Sequence, residues 1–147
     1  MLISRQRITG RAAAAALVLS LASSGCAREP TPTPRPLLQR ELSRAFKRAF
    51  DAEQRMRTGR SQTKLVKEAR ARCAPRGPDP RERREWPWRC RIRYLSRAGT
   101  TGQARYDVRV DPRGCFSASS GDYPPVIFER AIGRRSRNPL AEFRSCP

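Results

Sequence analysis

The chain has 147 residues, of which 32 are Lys or Arg and 13 are Asp or Glu, and it carries a formal charge of +19 at neutral pH with no histidine. A mean hydropathy of −0.74 and an aromatic content of 7% bound it to one modest hydrophobic core. Without histidine, serine–histidine and cysteine–histidine catalysis are excluded and the commonest neutral metal ligand is missing.

Residues 1–25 read as an export signal. Arg5, Arg7 and Arg11 form a basic start, Ala12 to Ala22 a mostly apolar run, and Ser23-Ser24-Gly25 leads to Cys26. The apolar run is about half of the ~20 residues that a helix needs to cross the hydrocarbon core, so it predicts no permanent transmembrane anchor. The Gly25-Cys26 junction resembles the lipobox of bacterial lipoproteins, with Ser23 where that family usually has Leu and Leu21 two places further out. The resemblance implies a diacylglycerol on the Cys26 thiol, a mature chain that begins there, and an extracytoplasmic domain anchored to the bacterial cell membrane. The alternative is conventional cleavage near Ala22 to Ala27, which gives a secreted product.

Residues 26–36 form a linker in which Pro30, Pro32, Pro34 and Pro36 alternate. Such spacing removes backbone donors and favours an extended polyproline II stalk. The remainder, 37–147, is expected to be a single domain.

From Leu37 to about Arg57, Leu38, Leu42, Ala45, Phe46, Ala49, Phe50 and Met56 recur at helical spacing, and Pro36 suits a first helical turn. The opposite side is basic and solvated, and Thr58-Gly59-Arg60-Ser61 ends the element. Leu65 to Cys73 fits either a short helix or a strand, and a strand ending at Cys73 is the reading taken. Ala74 to Glu85, rich in Pro, Gly and charge, reads as a loop.

Trp88 to Tyr94 alternates strictly, apolar at even positions and Arg at odd ones, the signature of a half-buried strand. Ser96 to Gln103, with two glycines, reads as a loop, and Arg105 to Asp111 repeats the alternation with Tyr106, Val108 and Val110 on the buried side. Asp111-Pro112-Arg113-Gly114 suits a type I turn that sends a third strand, Cys115 to Ser119, back along the second. Tyr123 to Phe128 suggests a bend followed by a short strand or helix start, and Asn138 to Phe143 a final turn tethered by Cys146.

Setting Cys26 aside leaves Cys73, Cys90, Cys115 and Cys146, an even number that in an exported small domain implies two disulfides. Four cysteines allow three pairings. Neighbouring strands favour Cys73 with Cys90, which leaves Cys115 with Cys146. Their spacing lacks the paired CxxC motif of a zinc site, so no metal or other cofactor is expected.

These elements predict an α+β domain, an N-terminal helix across a small disulfide-stapled antiparallel sheet. In outline it resembles cystatin-like or NTF2-like folds, a likeness that implies no function. Trp88-x-Cys90, Tyr106-x-Val108-x-Val110 and Gly114-Cys115-Phe116-x-Ala118 also resemble small exported actinobacterial domains of unknown function, and that resemblance brings no catalytic residue.

Glu82 and Glu85 lie in the Arg-rich loop, and Asp107 and Asp111 read as charge partners on an exposed strand face, so the expectation is a non-enzymatic protein. Removing the three leader arginines leaves 29 basic and 13 acidic residues, a balance of +16. A GC-rich genome also writes arginine readily. The functional alternative is a polyanion-binding face made of Arg89, Arg91, Arg93, Arg105 and Arg109, whose guanidinium forks match phosphate and carboxylate. An exported protein meets anionic lipid or cell-wall polymer first. Nucleic acid is the weaker fit, because most of the interleaved aromatic rings point to the core. A different expectation is a protein-interaction or inhibitor domain that docks through the Trp86-Pro87-Trp88 corner.

Overall fold

The computed structural model describes residues 34–60, 64–76 and 86–146, without the side chain of Trp86. The leader with Cys26, the linker as far as Thr33 and the loop 77–85 lie outside the described residues.

Among the described residues one helix, α1 (Arg35–Thr58), runs for about 36 Å at 1.5 Å per residue. It starts two residues earlier than the apolar spacing indicates, because Pro36 needs no N–H partner in a first turn. Gly59 ends it in the left-handed conformation (φ 68°) and donates its N–H to the Arg55 carbonyl at 2.8 Å. Arg55 and Arg57 in the last turn complement the negative end of the helix dipole. Leu38, Leu42, Ala45, Phe46 and Ala49 are buried along one side. Glu53 joins that stripe at only 3% exposure, with its carboxylate accepting bonds from Gln54 and Arg57.

The stripe faces an antiparallel sheet of β1 (Val66–Pro75), β2 (Trp86–Ser96), β3 (Thr101–Val110), β4 (Phe116–Ser119) and β7 (Glu142–Ser145), in that spatial order. This is the predicted α+β architecture with both predicted disulfides, Cys73–Cys90 and Cys115–Cys146. Cys73 and Cys90 face each other directly across β1 and β2 with Cα atoms 4.1 Å apart. Cys115 and Cys146 stand one step beyond the Phe116–Ser145 pair that ends the β4–β7 ladder.

Several predicted boundaries are corrected. β1 runs on to Pro75, opposite Trp88, and Trp86 and Pro87 already pair with Val110 and Arg109, so the loop does not begin at Ala74. The loop after β2 shrinks to 97–100, because Thr101 to Gln103 pair with Leu95 to Arg93. Gly102 is therefore a strand residue rather than a turn glycine. A Cβ there would stand 2.3–2.6 Å from the ring and hydroxyl atoms of Tyr94, so the missing side chain is what lets the tyrosine lie flat across β3.

Tyr94 in turn packs on Phe46 and Phe50, with ring centroids 5.1 and 5.4 Å away. Tyr106, fully buried beneath α1, donates its hydroxyl to the Leu140 carbonyl at 2.9 Å, and burial pushes its phenol well above its ordinary pKa. The Asp111 turn forms as expected: Gly114 N–H reaches the Asp111 carbonyl at 3.0 Å, and Asp111 Oδ1 accepts the Arg113 and Cys115 N–H groups.

The C-terminal third departs most from expectation. A two-stranded hairpin, β5 (Val126–Glu129) with β6 (Arg134–Arg137), stands apart from the main sheet, and the expected final turn, closed by the Ala141 N–H on the Asn138 carbonyl at 3.1 Å, leads into an unexpected edge strand, β7. Asn138 organises this crossing. It is fully buried, donates Nδ2–H to the Pro124 carbonyl and accepts the Leu140 N–H on Oδ1, both at 2.9 Å, so its polar atoms are matched inside the core.

Candidate polyanion-binding face

Alternation in β2 and β3 sends Trp88, Cys90, Ile92, Tyr106, Val108 and Val110 under the helix and leaves the arginines on the outer side of the sheet. All five predicted residues, Arg89, Arg91, Arg93, Arg105 and Arg109, are exposed there. The pairing register adds two that the sequence reading lacked, Arg70 opposite Arg93 and Arg72 opposite Arg91. Because Arg91 also stands opposite Arg105, three arginines line up across β1, β2 and β3 at about 4.8 Å per strand. An open concavity of about 760 Å³ lies over this region, with Glu68, Arg70, Arg72, Arg91, Arg93 and Gln103 among its walls.

Acidic residues compensate the face unevenly. Asp107 lies 3.3 Å from Arg76 and 3.9 Å from Arg89, and Glu68 pairs with Arg70. Arg105 donates its backbone N–H and its guanidinium to Asp122, at 2.8 and 3.0 Å. The side-chain bond and then the backbone bond from Arg105 hold the Asp122 carboxyl below the usual carboxylate range, while Asp122 raises the Arg105 pKa further. Among the described residues, Arg72, Arg91, Arg93 and Arg109 have no carboxylate oxygen within 4 Å.

Asp107 is thus a charge partner as expected. Asp111 is not: its carboxylate is spent on turn amides. Glu82 and Glu85 lie outside the described residues. In the Trp86-Pro87-Trp88 corner, Trp88 packs against the core, and the side chain of Trp86 lies outside the described residues.

Arg70 and Arg72 escaped sequence reading because the helix-or-strand ambiguity of 65–73 hid which side they occupy. Asp122 escaped it because a partner 17 residues away in a turn leaves no periodic signal. Among the described residues no group of three or more Cys, Asp or Glu is placed to hold a metal, and no helix is long and apolar enough to cross a membrane. The two disulfides fit an oxidising, extracytoplasmic compartment. No protein family, curated protein or solved structure matches the chain.

Proposed function

We propose that this is an exported, lipid-anchored protein of the bacterial envelope that works by binding rather than catalysis and holds anionic envelope components on the outer face of its sheet. The observation that carries the reading is the unbroken row Arg72–Arg91–Arg105. Like charges directly opposite one another destabilise a sheet, and while Arg105 has Asp122 beside it, Arg72 and Arg91 are left for an external polyanion to compensate. Guanidinium groups on adjacent strands can grip successive phosphates or carboxylates through paired hydrogen bonds. The Gly25-Cys26 junction supports the anchoring, and the disulfides support export.

The test is retention of the mature chain on purified anionic wall polymer and on anionic vesicles across a salt series. Retention is expected to fall steadily as salt screens the exposed arginines, and R72S/R91S/R93S is expected to lose most of it at low salt. Binding indifferent to salt, or unchanged in the triple variant, sinks the proposal.

A further inference from the structure

The β5–β6 hairpin lies apart from the arginine face. It hangs on the C-terminal end of α1, where the Arg130 N–H bonds to the Met56 carbonyl at 2.9 Å and Ile127 is buried. Its outer face is unlike the rest of the surface. Val126 and Phe128, 45% and 58% exposed, stand on one strand directly opposite Arg137 and Arg135 on the other. Ile132, 50% exposed, sits in the connecting turn beside Arg130 and Arg134. The one acid in the hairpin, Glu129, takes a hydrogen bond from the Ser136 hydroxyl at 2.7 Å.

We infer that this hairpin is a membrane-docking element that places Phe128, Ile132 and Val126 at the headgroup–acyl boundary of an anionic bilayer, with the four arginines on the phosphates. Apolar residues set directly beside arginines match the composition of segments that lie in a membrane interface. Long basic side chains reach back to phosphate while their stems follow the apolar surface. The hairpin also joins α1 at Met56, about 32 Å along the helix from the end that leads to the linker. A lipid on Cys26 and the hairpin would thus give the chain two separate points of attachment to the bilayer. The inference rests on the envelope reading for where a bilayer is met, but the contact itself is separate from the sheet face.

The probe is the mature chain from Ala27, which keeps every described residue and carries no lipid, on phosphatidylcholine vesicles with and without phosphatidylglycerol. With wild type as the control for the native tryptophans, F128W is expected to shift its emission to the blue and to be quenched by brominated acyl chains only on the anionic vesicles. F128S/I132S is expected to bind at least about tenfold more weakly, because two apolar side chains leave the interface. Both sites are exposed, so the fold is unaffected, which circular dichroism verifies. Quenching that persists in R72S/R91S/R93S assigns the contact to the hairpin even where the sheet face binds nothing. Unquenched F128W, or unchanged retention of F128S/I132S, overturns the hairpin and leaves the sheet face standing. A stoichiometric protein crosslink in cells that is lost in F128S, without vesicle binding, also overturns it in favour of a protein partner.

Discussion

At Gly102 the absence of a side chain carries as much information as any side chain in the core. The Tyr94 ring occupies the space that a Cβ would take, and Phe46 and Phe50 close over the same ring. Gly102→Ala therefore has to move an aromatic ring that is packed on two others, and overpacking of this kind costs about 1–3 kcal/mol. The expected outcome is a lower urea midpoint for Gly102→Ala, with much of the loss absent when the same change is made in Tyr94→Leu. If the two substitutions simply add, the clash is not the cause. Nothing in the sequence distinguishes this glycine from Gly99, which does occupy the turn at φ 82°. Both follow a strand pattern by a few residues, and only the register between β2 and β3 tells them apart.

Among the elements, those with a clean period were legible. α1 announced itself by its apolar spacing, and β2 and β3 by strict alternation, so the helix-on-sheet layer and one face of arginines followed from sequence. The bend and short strand of β5 were among the expected alternatives, but β6 and β7 were not, because strands of four residues are too short to establish a period. β7 is set in place from outside itself, by Asn138 and by the Cys115–Cys146 bridge. The two bridges should therefore fail differently. Chain entropy alone favours Cys115–Cys146, whose longer span of 31 residues against 17 is worth only about half a kcal/mol more. Burial outweighs that difference, since Cys73 and Cys90 lie in the core and their sulfurs leave a void when replaced. C73A/C90A is expected to lower global stability by about 3 kcal/mol or more in denaturant titrations. C115A/C146A is expected to speed amide exchange across Glu142–Ser145 while the exchange of β2 and β3 amides stays slow. Equal loss of protection throughout the sheet in both variants contradicts this division.

For the whole molecule, the proposal requires one lipid and two closed bridges in the same polypeptide. Intact mass of the membrane-extracted protein reads both at once: an acyl-glycerol addition on a chain beginning at Cys26, and two hydrogens lost per bridge. An unmodified chain starting downstream of Cys26 removes the anchor and leaves a secreted basic domain. The candidate face was half legible at this scale. Five of its arginines were readable from alternation, but the cross-strand row that gives it meaning exists only once β1 is aligned beside β2.

Ser43 and Lys47 give the fold a property that matters for molecules held side by side on a surface. β1 is an outer margin of the sheet, yet its Ala71 N–H is taken by the Ser43 hydroxyl at 2.9 Å and its Lys67 carbonyl by the Lys47 ammonium at 3.1 Å. The helix thus interrupts the backbone template that a neighbouring copy would use to extend the sheet. Lateral crowding, which multiplies encounters between identical margins, then meets a barrier against strand-by-strand growth along β1.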